Sequence, residues 1–377
     1  MNILLVGEYS RLHNSLREGL EKLGHTVVIV GFTDGFKDYP VDYPIRMQWD
    51  SIFLKKIKAG IYKFSGANIN SYFTYRQFKN YKRHLTGFDV VQLINENSFY
   101  CGFYFERKIL KFLFENNKKA FLLCCGNDSR TVRYDFDHPE KKSILQPYFD
   151  GKIKTKDFWN VLKFSSKEHV ALSKFIYSNI AGIIASDIDY DIPMQHDQKY
   201  LGMIPNPVNI DKLQLKPAIT NDKITIFHGI NQENYFKKGN DFFEKALDII
   251  REKYSDKIEI ITTRSIPYEQ YIGLYDKAHI LLDMVYSYDQ GYNALEAMAK
   301  GKVVFTGAEK EFEKFYKLTE RVCINAKPDI NYLVAQLSEL IENPQEIKNI
   351  SYRARLFVET EHHYILCAKK YLNIWNQ

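Results

Sequence analysis

The stretch that decides the fold runs Asn293-Ala-Leu-Glu296-Ala-Met-Ala-Lys-Gly301-Lys-Val-Val-Phe305. Its first part predicts an apolar helix that carries one carboxylate, Glu296, in its first turn and ends at Gly301. A buried strand follows, and another apolar strand, Ile280 to Met284, delivers the chain to the helix N-terminus. Backbone N–H groups and the dipole favour a phosphate there, while a carboxylate can accept hydrogen bonds from sugar hydroxyls. A site that can bind both a phosphate and sugar hydroxyls predicts that the ligand is a nucleotide sugar.

The composition is that of a folded globular protein. Of the 377 residues, 45% are hydrophobic and 26% are charged, and this length predicts two domains, each large enough for its own core. No run of 18 apolar residues is present, and the N-terminus is typical of a core strand, so we expect neither a spanning helix nor a signal peptide. The cysteines show no Cys-x-x-Cys spacing, which argues against disulfides and zinc and favours the cytoplasm. They number five: Cys101, Cys124, Cys125, Cys323 and Cys367.

Apolar runs of strand length alternate with longer periodic segments, which predicts an α/β fold with two parallel sheets covered by helices. The predicted strands are Asn2 to Val6, Thr26 to Gly31, Val90 to Ile94, Lys119 to Cys124, Gly182 to Ala185, Ile224 to His228, Ile258 to Thr262, Ile280 to Met284 and Val303 to Thr306. The predicted helices include Ser10 to Leu23, Gly239 to Tyr254, Pro267 to Lys277 and Ala294 to Lys300. The region around Pro205 and Pro207, continued by Leu215 to Asn221, lacks periodicity and is the predicted linker.

The segment Tyr292 to Gly301 resembles the donor-site motif of the family-4 retaining glycosyltransferases, which have the GT-B fold of two Rossmann-like domains facing a cleft. Other segments are similar to family segments in the same order. They are Met1 to Gly7 and Leu16 to Val27, Ile204 to Asp211 (the interdomain "IPNGVD" segment), Lys237-Lys238-Gly239 (the phosphate-binding lysine-glycine), and Phe357 to His363 with Tyr371-Leu372 (the terminal helices). The resemblance implies an acceptor-side domain of residues 1–215, a nucleotide-sugar-binding domain of residues 216–359, and a helix over 360–377 that crosses back to the first domain.

The resemblance implies a donor site in the second domain. Lys238, at a predicted helix start, would bind the diphosphate, and Glu296, which matches the second carboxylate of the family's E-x7-E motif, would hold the ribose. The alternatives are a solvated lysine pair and a first-turn carboxylate favoured by the helix dipole. The predicted donor-binding residues are Gly7, His228, Gly229, Lys237, Lys238, Arg264, Asp289, Gln290, Gly291, Tyr292, Asn293 and Glu296.

Two departures from the family pattern affect this site. The arginine that the family carries shortly before the lysine is absent, so Lys237 or Arg264 is expected to supply the second positive charge that a departing diphosphate needs. Where the family has a glutamate near the donor sugar, this chain has Tyr288. That difference predicts either a sugar bound through Asp289 or Gln290, or a degenerate site.

The acceptor side is predicted in the first domain. Cys124-Cys-Gly-Asn-Asp128 resembles the family's "HGxD" loop, with cysteine replacing histidine. Asp128 is the expected acceptor-side carboxylate, because polar loops at the carboxyl ends of parallel strands bind ligands; the alternative is an Asx turn or a helix cap. Gln92 stands where the family often has histidine. The predicted acceptor-binding residues are Asn95, Glu96, Asn127 and Asp128, and the predicted catalytic residues are Lys238, Glu296 and Asp128.

The resemblance implies front-face retaining transfer, in which the acceptor hydroxyl attacks the face that the nucleotide leaves and the leaving phosphate takes its proton. Positioning and charge stabilisation would carry the rate, and no metal or cofactor is expected. Dinucleotide binding is disfavoured, since Gly7-Glu-Tyr-Ser-Arg-Leu-His13 has one glycine where G-x-G-x-x-G needs three. The alternatives are a nucleotide-sugar epimerase or hydrolase of the same fold and a donor-binding homologue without catalysis.

Residues 51–84 form a basic and aromatic segment. It contains eight Lys or Arg and no Asp or Glu. Such a segment can bind anionic lipid, each basic residue adding about 1 kcal/mol, or it can be a pair of ordinary helices with solvated lysines. Since the net charge is only +6 and the basic bias is confined to this segment, nucleic acid is disfavoured. The expected partners are a nucleotide sugar, a glycan acceptor that is free or lipid-linked in polysaccharide assembly, and an anionic membrane surface at the cytoplasmic face.

Overall fold

The computed structural model describes residues 1–32, 39–49, 51–65, 68–216 and 223–377. Within these ranges the chain forms two parallel β-sheets packed against helices. The predicted α/β class with two parallel sheets is confirmed.

The first sheet contains seven strands within the described residues, in the order β3-β2-β1-β4-β5-β6-β7. Their bounds are β1 Asn2–Val6, β2 Thr26–Phe32, β3 Tyr43–Ile45, β4 Val90–Leu93, β5 Lys119–Cys124, β6 Gly182–Ala185 and β7 Tyr200–Met203. β4 and β6 are fully buried, as expected for a parallel sheet covered on both faces. The edge strands β3 and β7 were not predicted, because they are short, and a proline in one and a glycine in the other obscure their pattern.

The first domain contains nine α-helices among the described residues. They are α1 Leu12–Lys22, α2 Ile52–Ser65, α3 Ile69–Tyr81, α4 Phe103–Glu115, α5 Ser129–Asp137, α6 Gln146–Phe149, α7 Trp159–Leu162, α8 Lys167–Asn179 and α9 Ile188–Met194. The first begins two residues later than predicted, because Ser10 and Arg11 have φ of 49° and 80°, outside the helical region.

The second sheet has the order β12-β11-β10-β8-β9. Its strands are β8 Ile224–Ile230, β9 Ile258–Arg264, β10 Ile280–Leu282, β11 Val303–Thr306 and β12 Ile324–Asn325. The helices are α10 Asn240–Lys253, α11 Tyr268–Tyr275, α12 Tyr292–Ala299, α13 Lys310–Phe315, α14 Ile330–Glu342, α15 Pro344–Glu361 and α16 Tyr364–Trp375. In both sheets the first strand lies between two later ones, which places a crevice at the carboxyl ends of the strands.

The last helix crosses back to the first domain, as the resemblance implied. α16 packs on α1, where a Cβ on Gly19 would lie 2.5 Å from the Tyr364 carbonyl oxygen. Trp375 Nε1 donates to Gln92 Oε1 over 3.2 Å. Gln92, which stands where the family often has histidine, is therefore fully buried beneath the last helix.

The segment between the two sheets is held to both domains. Asn209 Nδ2 and Lys212 Nζ each donate to Glu18 of α1 over 2.5 Å, and Arg355 of α15 donates to the Leu213 carbonyl over 2.7 Å. The predicted domain boundary at residue 216 falls between β7 and β8. Residues 217–221 of the predicted linker lie outside the described residues.

The basic segment contains two helices, one packed and one exposed. α3 buries Ser71, Thr74 and Phe78 and contacts α4. On α2, in contrast, Phe53 is 71% exposed and Phe64 is 89% exposed. In the described part of the chain, no helix is both long and apolar enough to span a membrane.

Candidate active site

A cavity of about 250 Å³ lies between the two domains at the carboxyl ends of both sheets. Loops after β5 and β6, with α5 and α9, form its N-terminal wall, and loops after β8 and β10 form its C-terminal wall. Its lining includes Gly126, Asn127, Asp135, Lys142, Asp187, Asp189, Lys237, Lys238, Ser287, Tyr288 and Gly291. We call it the cleft cavity.

Lys238 enters the cleft cavity because the chain turns sharply into α10. Gly239 has φ +72°, and a Cβ there would lie 2.1 Å from Val285 Cγ2, so only glycine fits this turn. Lys238 Nζ lies 2.8 Å from Asp283 Oδ1, and the lysine side chain is 29% exposed against 2% for the aspartate. The ammonium is therefore fixed at the end of β10 while it still faces the cavity.

A chain of polar side chains supports this ion pair. Asn293 Nδ2 donates to the same Asp283 oxygen over 3.1 Å, and the Tyr271 hydroxyl donates to Asn293 Oδ1 over 3.0 Å. The contacts connect α11, α12, the end of β10 and the entry to α10. Two predicted donor residues, Lys238 and Asn293, thus meet at Asp283, which was not predicted to belong to the site.

Lys237 supplies a second positive charge beside Lys238. It lines the same cavity, and burial, followed by the charge of Lys238, lowers its pKa to about 8. Arg264 lies elsewhere: its guanidinium pairs with Glu244 and donates to Gln232 Oε1 over 3.2 Å. Of the two residues expected to supply the second positive charge, Lys237 lines the cavity and Arg264 does not.

A second cavity, of about 160 Å³, contains the predicted ribose carboxylate, and we call it the Glu296 cavity. It is lined by Arg11, Ser15, Tyr39, Val208, Asn209, Lys212, Leu213, Tyr268, Ile272, Tyr292, Glu296 and Lys300. The Tyr292 hydroxyl donates to the Pro207 carbonyl, which joins α12 to the interdomain segment. Since Gly291 lines the cleft cavity and Tyr292 lines the Glu296 cavity, the two cavities flank the N-terminus of α12.

Three predicted donor residues, Gly7, His228 and Gly229, are not included in the described linings of the two cavities. Gly7 has φ +88°, and a Cβ there would lie 2.3 Å from Ile94 Cγ2. A Cβ on Gly229 would lie 2.5 Å from Tyr271 Cε2. His228 Nε2 lies 2.8 Å from Asn240 Oδ1, and burial lowers its pKa to about 4. Direct contact of these residues with a donor stays a prediction.

The structure places Asp289 and Gln290 behind the wall of the cleft cavity. Gln290 Nε2 donates to the Gly307 carbonyl over 2.8 Å. Asp289 accepts from the backbone N–H of Gln290 over 2.6 Å and of Ile188 over 3.4 Å, and burial raises its pKa to about 7. In this loop the described lining includes Tyr288 but neither Asp289 nor Gln290, so the binding of the sugar by those two residues stays a prediction.

The predicted acceptor loop is held by its own polar side chains. Asp128 accepts from the backbone N–H groups of Arg130 over 2.9 Å and Thr131 over 2.7 Å and so caps α5, which is the capping alternative. Glu96 accepts from Ser129 N over 3.0 Å, and burial, then Asp128, raises its pKa to about 8. Asn95 donates to the carbonyls of Cys125 and Asn127. Of the four predicted acceptor residues, Asn127 lines the cleft cavity.

Sequence reasoning missed three carboxyl groups on the N-terminal wall, Asp135, Asp187 and Asp189. Burial is the main cause that raises the pKa of each, to about 8 for Asp135. Asp189 reaches across the cleft and accepts from Ser287 Oγ over 2.5 Å and from Tyr288 N over 3.1 Å. Asp187 and Asp189 could have been found as an Asp-x-Asp spacing directly after a buried strand. Among the described residues, no group of three His, Cys, Asp or Glu side chains is placed to hold a metal ion.

Comparisons with known proteins show what the chain is similar to. Residues 233–373 match a family model described as glycosyl transferase-like, and this segment contains Lys238 and Glu296. No curated protein matches the chain. Sucrose-phosphate synthase from Thermosynechococcus elongatus is similar over 100% of this chain and 98% of its own, with 14% identity and a TM-score of 0.62. HepE from Anabaena, in complex with UDP and glucose, is similar over 100% and 99%, with 9% identity and a TM-score of 0.56.

A third similar structure is TarM from S. aureus, in complex with fondaparinux, α-GlcNAc-glycerol and UDP. It has 12% identity and a TM-score of 0.54, over 82% of this chain and 59% of its own. At these identities the structural likeness shows the fold, which is GT-B. The chain thus has a GT-B fold, and its second half contains a glycosyl transferase-like segment. Membership of family 4 stays a prediction.

Proposed function

We propose that the protein transfers a sugar, with retention of configuration, from a nucleotide sugar to a saccharide acceptor. The observation that carries this proposal is the placement of Lys238 and Glu296 in two cavities on opposite sides of the α12 N-terminus. A nucleotide sugar has the matching order of parts, with a nucleoside, a diphosphate and a sugar in sequence. The HepE and TarM complexes contain UDP, which supports UDP as the first nucleotide to test.

The nucleoside would occupy the Glu296 cavity. The Glu296 carboxylate would accept hydrogen bonds from the ribose hydroxyls, and the Tyr268 ring would lie beside the base. The diphosphate would lie at the N-terminus of α12, where backbone N–H groups and the dipole stabilise negative charge. Lys237 and Lys238 would complete its binding, with Lys238 exchanging part of its contact with Asp283 for a phosphate oxygen.

The sugar would then lie in the cleft cavity beside Tyr288, and the acceptor would approach from the N-terminal wall. In the retaining step, the bond between the anomeric carbon and the phosphate oxygen breaks and the acceptor oxygen bonds to the same face. The acceptor proton passes to the leaving diphosphate, whose growing charge the two lysines stabilise. Asp187, whose pKa is raised by burial and then by Asp189, would form a hydrogen bond with an acceptor hydroxyl group. No metal or cofactor is needed for this step.

A specific observation favours one alternative, transfer with inversion. Asp187 lines the cleft cavity, and burial and the neighbouring Asp189 raise its pKa, which suits a general base. The configuration of the newly formed bond, read from the proton NMR spectrum of the product, separates the two routes. Retention supports the first proposal, whereas inversion supports the second.

Turnover of nucleotide sugars tests the activity itself. The purified protein would be incubated with UDP, GDP, ADP and dTDP sugars, with and without oligosaccharide acceptors. Transfer that requires an acceptor supports the proposal. Turnover without an acceptor indicates an epimerase or hydrolase, and binding without turnover indicates a homologue without catalysis.

We also propose that α2 places the protein on an anionic membrane at the cytoplasmic face, where a lipid-linked acceptor would be available. The helix exposes Phe53 and Phe64 together with Lys56 and Lys63, and residues 51–84 contain no carboxylate. Aromatic rings enter a lipid interface, and each lysine near the surface adds about 1 kcal/mol of attraction to anionic lipid.

Sedimentation with phosphatidylglycerol vesicles tests this docking. Lys56→Gln with Lys63→Gln should weaken vesicle binding roughly tenfold or more by these energies. High salt should produce the same loss, because it screens the charges. Lys348→Gln, on α15, is the matched control for an exposed lysine. Equal vesicle binding by the parent and the double variant would contradict the proposal.

A further inference from the structure

Three aromatic side chains lie together at the carboxyl edge of the first sheet. Phe32 ends β2, Tyr9 follows β1, and Tyr100 lies in the loop after β4, three strands that are neighbours in the sheet. The rings of Tyr9 and Tyr100 are 6.1 Å apart at 35°, and those of Phe32 and Tyr100 are 5.5 Å apart at 65°. Tyr100 is nonetheless 50% exposed. We call these three residues the aromatic platform.

The backbone on both sides of Tyr100 is fixed from below. Phe99 N donates to Glu106 Oε1 over 3.0 Å and Cys101 N donates to Glu106 Oε2 over 2.9 Å, and this glutamate is fully buried. Between these contacts Tyr100 has φ +51°. A residue with a Cβ pays roughly 1–2 kcal/mol for this left-handed conformation, and such strain at an exposed position indicates a functional constraint.

The aromatic platform adjoins the N-terminal wall of the cleft cavity. A Cβ on Gly126 would lie 3.6 Å from Tyr9 Cε2, and Gly126 itself lines the cavity. Asn95 lies beside the same glycine and donates to the carbonyl of Asn127, which also lines the cavity. A ligand that extends from the cavity past Gly126 would therefore meet the rings and amide groups in turn.

We propose that the aromatic platform binds a pyranose ring of the acceptor saccharide, outside the position where the new bond forms. This inference rests on the proposed function, because it assigns the substrate class of that same cleft. One face of a pyranose presents C–H groups and can stack on an aromatic ring, while its hydroxyl groups need polar partners. Tyr100 supplies the exposed ring, and the neighbouring loop of Asn95 and Asn127 supplies polar groups.

Saturation-transfer NMR tests the platform with the methyl glycosides of glucose, galactose, mannose and N-acetylglucosamine as probes. The parent should transfer saturation to the C–H protons of at least one glycoside. Tyr100→Ala should weaken that binding roughly tenfold, which corresponds to about 1.4 kcal/mol. Tyr100→Phe keeps the ring and should retain binding. Tyr352→Ala removes an exposed tyrosine on α15 and should change nothing.

Tyr100→Gly separates binding from folding. Glycine adopts φ +51° without strain, so this variant should remain folded in thermal unfolding and should still lose the glycoside. Equal glycoside binding by Tyr100→Ala and the parent, or no saturation transfer from the parent to any probe, would overturn the proposal. UDP titrated into the same samples reports the donor site separately. Loss of the glycoside with UDP affinity unchanged supports the platform, while absent UDP binding refutes the donor site alone.

Discussion

The two walls of the cleft cavity carry opposite chemistry. The C-terminal wall presents the ammonium groups of Lys237 and Lys238, whereas the N-terminal wall presents the carboxyl groups of Asp135, Asp187 and Asp189. The ammonium group of Lys142, also on the N-terminal wall, is paired with Glu309. Burial lowers the pKa of Lys237 and raises those of the three aspartates, so on both walls it disfavours the charged form. A diphosphate bound at the C-terminal wall would stabilise the charged form of Lys237, which burial disfavours. A hydroxyl group bound at the N-terminal wall would need only a hydrogen bond from a carboxyl group and no charge on it.

Under the proposed function, this difference would let one cleft separate a donor from an acceptor. An anion is attracted to the lysine wall and meets a cluster of carboxyl groups on the other. A neutral saccharide is the better ligand for that second wall. If this division is correct, substitutions on the two walls should affect different substrates.

The largest effect is expected from Lys238→Ala on the C-terminal wall. Removing a group that stabilises charge on the leaving diphosphate should lower turnover by roughly 10²–10³-fold. Affinity for UDP should fall by about 1.5–3 kcal/mol, the range for a hydrogen bond to a charged group. Initial rates of sugar transfer and calorimetry with UDP measure the two effects. Lys348→Ala is the matched surface control, and unchanged turnover in Lys238→Ala would remove the leaving-group role.

The next effect should appear on the opposite wall. Asp187→Asn should raise the acceptor KM or lower acceptor-dependent turnover roughly tenfold, for the loss of one hydrogen bond of about 1.4 kcal/mol. Affinity for UDP should stay within about twofold, since the residue faces the acceptor. Asp137→Asn, at the exposed end of α5, serves as the control. An equal loss of UDP affinity in Asp187→Asn would show that the two walls do not act separately.

How much could be predicted from sequence differs between these walls. The C-terminal wall and the Glu296 cavity depend on short segments. These are Lys237-Lys238-Gly239 before one helix and Glu296 in the first turns of another. Such local signals survive in a single sequence. The inner strands of both sheets were predicted for the same reason, because their apolar runs are continuous.

The N-terminal wall could not be predicted in the same way. Asp128 and Glu96 follow buried strands, as a ligand-binding carboxylate would, yet their oxygens accept backbone N–H groups of the loop. Asp135, on a helix face, approaches Asp189 through the packing of α5 against α9. That packing joins residues about 50 positions apart, and no local pattern specifies it.

A smaller effect is expected in the Glu296 cavity, and it can be compared with the effect of a substitution in the cleft cavity, on the other side of the α12 N-terminus. Glu296→Gln should weaken uridine, UMP and UDP alike, by roughly tenfold each, if the carboxylate accepts hydrogen bonds from the ribose. Lys238→Ala should leave uridine affinity unchanged, because the nucleoside has no phosphate. Calorimetry with the three ligands gives the pattern. If Glu296→Gln binds all three like the parent and remains folded, the ribose does not contact this residue.

The smallest effect is expected on stability, at Asp289, whose carboxyl group lies behind the wall of the cleft cavity. Burial raises its pKa to about 7, and the charge of Asp189 contributes, so the folded protein keeps a proton that the unfolded chain loses near pH 4. The folded state therefore binds more protons between about pH 4 and 7, and its stability falls as pH rises through that window. Asp187 and Asp189, whose pKa values are also raised, act in the same direction. Asp289→Asn cannot ionise, so its melting temperature relative to the parent should rise from pH 4 to pH 7 and then level off. The gain should be at least about 2 °C, the shift expected for roughly 1 kcal/mol.

Asp256→Asn, at an exposed turn, should show no such trend in thermal unfolding across the same pH range. A constant difference between Asp289→Asn and the parent at every pH would mean that Asp289 is ionised in the folded protein, and the contrast between charged and neutral groups across the cleft would then have to be redrawn.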